Sequence, residues 1–286
     1  MTTMGLALGL VLAGSGADAK AGGTLQWVGC DVAKASFMEA VAAAYEKKSG
    51  VHIELNDGGA TKGIREVAAK KASMGGTCRH ALNVPEEQGA RLVPVAWDAL
   101  VIAVHPSNPV TNITLEQIKG VYLGKITNWK ELGGNDAPIV PLERKGKMSG
   151  VGFGARQLIF KNAEQDYAPS VKLFDSTRPM EEAAEGEVNG ISITGISSGR
   201  VRKLKLLSIE GKSPTRENFV SGDYMLYRPL YLTVPKDADP KANDFLKYIL
   251  SGEGQAVIAK TGTINLADGK LLWAKFKAQY GDFAKQ

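Results

Sequence analysis

Two cysteines and three histidines in 286 residues leave this chain few of the side chains that hold transition metals or act as nucleophiles. It has no Cys-x-x-Cys, no nucleophile elbow and no paired metal carboxylates, so the common redox, hydrolytic and metalloenzyme signatures are missing. No cofactor and no enzymatic activity are expected. Aromatic residues are scarce at 7%, while glycine reaches 33 residues. That balance argues against an aromatic-cored β-sandwich and for a turn-rich α/β chain. No lysine and arginine stripe interleaves with aromatics, so nucleic acid is not an expected partner. The densest basic run, Arg200, Arg202, Lys203 and Lys205, reads as a solvated edge. The formal net charge of +5 suits solubility and the attraction of a small anion.

Long apolar runs are also absent. The one near the N-terminus, residues 4–13, is too short to span a bilayer. It is followed by Ala17-Asp18-Ala19, which fits the small-x-small rule for cleavage. Residues 1–19 therefore read as a signal peptide, although no lysine or arginine precedes the apolar core. The alternative is a buried N-terminal helix. Export would place the mature chain in a periplasm, where two thiols most often form a disulfide.

What is present is an alternation of elements. "GGTLQWVGC" reads as a strand running into a tight loop, and "DVAKASFMEAVAAAYEKKSG" as a helix with Asp31 as candidate N-cap. Phe37, Val41, Ala44 and Tyr45 recur on one face of it, and Gly50 ends it. "VHIEL" is a second strand, "TKGIREVAAKK" a second helix that Thr61 can cap, and "ASMGGTC" a third strand. Strand, helix, strand, helix, strand implies parallel pairing with right-handed crossovers. In such sheets the loops after the strands gather at one edge, where ligands bind. Cys30, the Gly58-Gly59-Ala60-Thr61 loop and Cys78 should share that rim. Further on, "LVPVAWDALVIAVHP" reads as two apolar runs around Trp97-Asp98, and Thr114 with Gln117 forms a capping box.

Three segments carry a family resemblance. "VHPSNPVTNITLEQIKGVYLGKITNWKELGG", "YMLYRPLYLTVP" and "FLKYILSGEGQAVIAKTGTI" resemble, in order and spacing, the phosphate-type periplasmic solute-binding proteins. The resemblance implies an α/β, two-lobed periplasmic-binding-protein fold with a two-strand hinge and a ligand cleft between the lobes. Residues 24–103 with 226–286 would form one lobe, and 104–225 the other. A monomer is expected. Trp129 would pack the second lobe, and Asp98 would lie near the hinge, capping a strand end or meeting a hydrogen-bearing ligand.

The resemblance also implies four ligand loops. The first carries Cys30 where a hydroxyl residue is usual. The second keeps Thr61 at a helix start, where backbone N–H groups favour anions. The third carries Cys78 in place of a serine, followed by Arg79. The fourth keeps Arg144, Ser149 and Gly150, but Val151 stands where a threonine is usual. Sulfur is a weak hydrogen-bond partner for phosphate and a good ligand for thiophilic centres. This pattern resembles the arsenite-binding periplasmic sensors, which signal to a membrane histidine kinase. Arsenite held by Cys78, with Cys30 as a second thiol, is thus the expected ligand. The rival is the phosphate-binding subunit of an ABC transporter, with a permease as partner. Three further readings stay open: a Cys30–Cys78 disulfide, a metal site from Cys30, Cys78 and His80, and a Cys78–His80 catalytic pair.

Overall fold

The computed structural model describes residues 22–281, so the expected signal peptide at 1–19 lies outside the described residues. The strands are β1 (Thr24–Gly29), β2 (His52–Asp57), β3 (Met74–Thr77), β4 (Ala90–Val104), β5 (Asn112–Ile113), β6 (Val140–Arg144), β7 (Lys172–Phe174), β8 (Gly190–Gly195), β9 (Lys205–Leu206), β10 (Ser208–Ile209), β11 (Tyr227–Pro235) and β12 (Ile264–Asn265). No helix among the described residues is long and apolar enough to cross a membrane.

The opening alternation folds as its pattern dictates. β1 pairs in parallel with β2 on one side and β3 on the other. Helical crossovers connect them, Glu39–Ser49 before β2 and Gly59–Ala68 before β3. Phe37, Val41 and Tyr45 turn inward from the first crossover and are buried, while Ala44 is partly buried. Gly50 ends that helix in the left-handed region at φ 70°, where glycine carries no Cβ penalty.

β4 departs from the expected break at Trp97-Asp98. It is one strand of 15 residues, about 50 Å at roughly 3.3 Å per residue. Its polar residue does not turn to solvent, because a partner strand supplies the opposite charge. Residues from Ala90 to Ala99 pair antiparallel with β11, and Leu100 to Val104 pair with β8. β8 continues in parallel to β6, and β6 to β7. β4 therefore belongs to two sheets, one carrying β2-β1-β3-β11 and the other β8-β6-β7. Helices cover both, giving two α/β lobes joined through β4 and the start of β11.

The second lobe keeps its expected anchors. Thr114 and Gln117 form the capping box of the helix Leu115–Tyr122. Trp129 is buried and donates its indole N–H to Asn189 O at 3.0 Å. The helix Thr177–Gly186 escapes the sequence pattern because it contains Pro179, which a helix tolerates only in its first turn.

Glu143, on β6, is fully buried. One carboxylate oxygen accepts the Arg144 N–H at 2.8 Å, and the other has no hydrogen-bond partner. Burial pushes its carboxyl up to about 8, against that hydrogen bond and the pull of Arg156 and Arg144. The folded chain thus keeps a proton that the unfolded chain releases above the ordinary carboxylate range. This group's contribution to stability falls as pH rises towards 8 and then levels off. Glu143→Gln cannot ionise. In urea unfolding, the variant should lose ~3 kcal/mol less stability than the wild type between about pH 5 and about pH 8, at ~1.4 kcal/mol per pH unit. Parallel pH profiles for the two proteins would contradict the assignment.

Candidate functional site

The loops after β1 and β3 leave the sheet side by side, with the Cys30 N–H donating to Gly76 O at 3.2 Å. Cys30, rather than Asp31, takes the cap position of the following helix. Its Sγ accepts the Ala33 N–H at 3.4 Å, and Asp31 is the first helical residue. Cys78 brings its Sγ to 3.4 Å from Cys30 Sγ, and both residues are buried. The hydrogen bond between the sulfurs splits their acidities. It draws Cys78 below the usual thiol range, with help from Arg228 and Arg144 against burial. It joins with burial to push Cys30 well above that range. Of the two thiols, Cys78 is therefore the more acidic and the first to give up its proton.

A cavity of about 400 Å³ opens over the sulfurs between the lobes. The first lobe lends it Cys30, Asp31, Cys78 and the helix start at Gly59-Ala60. The second lends it Arg144, Gly150, Val151 and the segment from Asp175 to Pro179. The starts of the helices Gly59–Ala68 and Thr177–Gly186 carry backbone N–H groups without intrahelical partners, which favour an anion. Arg144 fixes the far wall, donating to Phe174 O at 3.3 Å, Asp175 O at 2.6 Å and Thr177 Oγ1 at 2.8 Å. Val151 is buried and offers no hydroxyl.

Behind the sulfurs lies a charge network that sequence reasoning missed. Arg228 on β11 stands directly opposite Asp98 on β4 and bonds Asp98 Oδ2 at 3.0 and 3.3 Å. The other Asp98 oxygen accepts the Ser197 hydroxyl at 3.1 Å. Arg228 also reaches across the cleft to Gly150 O at 2.9 Å. Each of these charges stands inside an apolar strand, "VAWDALV" and "LYRPLYL", and that mutual isolation is the signal that could have paired them.

Cys30, Cys78, Arg144 and Gly150 line the cavity, whereas Thr61, Arg79 and Ser149 lie outside its lining. Helix Gly59–Ala68 is capped at Gly58, not at Thr61. The Thr61 hydroxyl instead donates to Met148 O of the other lobe at 2.8 Å. Arg79 is buried and held by Glu87 at 2.6 and 3.0 Å. Its Nε also donates to Met148 O, at 2.9 Å. Ser149 Oγ accepts the Gly152 N–H at 3.2 Å and caps the helix Gly150–Ala155. Thr61 and Arg79 thus hold the cleft's edges together, while Ser149 bonds only within its own lobe. Glu87, the carboxylate that neutralises Arg79, had no sequence signal beyond its place in "PEEQG". Burial and Arg79 lower the His80 imidazole to about 4, so it is neutral, and it packs edge-on against Phe153 at 4.9 Å. Among the described residues, no group of three or more His, Cys, Asp and Glu is arranged to hold a metal ion.

Residues 16–253 match the model of the PBP superfamily domain. The chain belongs to that superfamily. Within it, the Bacillus subtilis phosphate-binding protein PstS is 26% identical over 89% of this chain and 84% of its own length. The Pseudomonas aeruginosa PstS is 28% identical over 85% and 83%. Among solved structures, a Clostridium perfringens substrate-binding protein with bound phosphate superposes at a TM-score of 0.77, with 29% identity over 85% of this chain and 99% of that one. An ABC-type phosphate transport receptor from Vibrio cholerae gives 0.68 and 27%, with the same coverage. The two-lobed binding-protein fold is thereby established, and the chain is a solute-binding protein rather than an enzyme.

Gly150 is a point of close approach between the lobes of this PBP-superfamily chain. A Cβ there would stand 2.3 Å from Cys78 Sγ and 3.1 Å from Ala60 Cβ, so the sulfur must turn away or the lobes must part to admit it. Gly150→Ala should raise the rate at which N-ethylmaleimide labels Cys78 in the folded protein by roughly tenfold or more, the effect of ~1.4 kcal/mol on the opening equilibrium. An unchanged labelling rate would show that the contact does not limit access to the sulfur.

Proposed function

We propose that this protein captures a small inorganic oxyanion of the phosphate type outside the cytoplasmic membrane and delivers it to an ABC permease. The lobes divide near residues 103 and 226 and close over the ligand. The observation that carries the reading is the cavity of about 400 Å³ with Arg144 and two helix starts on its walls. An anion finds positive backbone ends there without a side-chain cage. The lining also includes Asp31, Asp57 and Asp175. Asp57 is paired with Lys34 at 3.0 Å, which moderates its charge. Ionised carboxylates only accept hydrogen bonds, so this lining favours a ligand that still carries hydrogens, such as a protonated oxyanion. The phosphate-binding names of the relatives support the same class.

One observation favours a second reading, arsenite held by Cys78 with Cys30 and reported to a membrane sensor kinase. The two sulfurs stand 3.4 Å apart on the cavity floor. That spacing suits two thiolates on one pyramidal trivalent centre better than the opposed sulfurs of a linear two-coordinate cation, and such centres are thiophilic. Calorimetric titration of the reduced protein separates the two. Inorganic phosphate should bind the wild type, and should bind Cys78→Ser about fivefold more tightly, because a hydroxyl donates the hydrogen bond that a sulfur makes only weakly, an effect of ~1 kcal/mol. Absence of phosphate binding in both proteins, with arsenite binding that disappears in Cys78→Ser, would transfer the conclusion to the metalloid.

A further inference from the structure

We propose that Cys30 and Cys78 form a reversible redox couple, a dithiol that closes to a disulfide on the cavity floor and retunes the site for anions. The geometry is already close to the product. The two residues follow neighbouring parallel strands, with Gly29 opposite Gly76 in register. Adjacent strands run about 4.8 Å apart, and disulfides join Cα atoms roughly 4.4–6.8 Å apart. The sulfurs are 3.4 Å apart before any bond forms, and both thiols are free. Closure needs a rotation of side chains and no rearrangement of the sheet.

The chemistry runs in a defined order. Cys78, the more acidic sulfur of the two, faces the cavity. Its thiolate attacks one sulfur of an incoming disulfide, either a small-molecule disulfide or an oxidising thiol oxidoreductase. A mixed disulfide forms on Cys78 and one thiolate leaves. Cys30 then gives up its proton and attacks Cys78 Sγ, releasing the second thiol. Two cysteine thiols are oxidised, and one external disulfide is reduced to two thiols. The low exposure of both cysteines means that the reagent enters through the cleft when the lobes part.

The two states differ at the floor of the cavity. The dithiol sets its more acidic sulfur, Cys78, beside Arg228, where the thiolate it forms on losing its proton opposes an incoming anion. The disulfide is neutral at every pH, so no sulfur charge opposes the anion, while Arg228 stays balanced by Asp98. Cys30 also caps the helix beginning at Asp31 through its sulfur, so oxidation alters the acceptor at that helix start.

The test uses the full chain, incubated in graded mixtures of oxidised and reduced glutathione, quenched in acid and alkylated in denaturant. Mass spectrometry should find a monomer lighter by two hydrogens with no alkylated cysteine, returning to two alkylated cysteines after dithiothreitol. Cys30→Ser should stop at a glutathione adduct on Cys78, because the resolving sulfur is gone. Inorganic phosphate should bind the oxidised protein several-fold more tightly than the reduced protein. Two alkylated cysteines under oxidising poise, or a persistent glutathione adduct or intermolecular dimer in the wild type, would overturn the couple. The thiol readout does not depend on the ligand, so failure of phosphate to bind in either redox state would count against the oxyanion reading while the masses still decide the couple.

Discussion

The buried pair between Asp98 and Arg228 fixes more of this molecule than any other contact. β4 and β11 are the strands that tie the lobes together, and the pair sits where they run face to face. Both charges are buried, with 3% exposure for each residue. Separating such a pair leaves an uncompensated buried charge and costs about 3–5 kcal/mol. Strand register is therefore pinned at that point, since a slip of one residue would turn one partner to the opposite face of the sheet. From there Arg228 extends to Gly150 O in the second lobe and sets the field around Cys78. Hinge register and one lobe contact pass through this guanidinium, which also adds to the acidity that the sulfur–sulfur hydrogen bond gives Cys78.

The cleft is closed with the protein's own carbonyl groups. Met148 O receives Thr61 and Arg79, and Gly150 O receives Arg228. Arginine suits this task because its planar fork can bond a carboxylate at one edge and a carbonyl at the other. Arg79 does so with Glu87, and Arg228 with Asp98. The consequence for recognition is direct. Hydrogen-bond donors that could have faced a ligand are engaged in bridging the lobes. The cavity is left with backbone N–H groups, Arg144 and Arg178, Ser176 and Thr177 on one wall, a few carboxylates and two sulfurs. Such a lining selects by field and by softness more than by a ring of hydroxyls.

Much of the architecture was legible in the sequence because it rests on local rules. The helix before β2 follows from apolar spacing and a terminal glycine, and the Thr114–Gln117 capping box from two residues three apart. The meeting of Cys30 and Cys78 followed from the rule that loops after parallel strands share one edge. What could not be read was pairwise and non-local. Thr61 and Arg79 stand on the expected rim, yet their partners, Met148 and Glu87, are fixed by how close the lobes come. Cys30 displaced Asp31 as a helix cap because its sulfur accepts the Ala33 N–H while Asp31 is already helical. The continuity of β4 through Trp97-Asp98 was hidden because a charge in an apolar run reads as a break unless its counter-charge, 130 residues away, is seen at the same time.

A crystal structure of the reduced protein grown with inorganic phosphate tests the central claim most directly. The account predicts one anion between Cys78, Gly150 and Arg144, with Arg228 still bonded to both Asp98 and the Gly150 carbonyl. An anion bound elsewhere, or lobes that hold it only after the Arg228–Gly150 contact has broken, would contradict it.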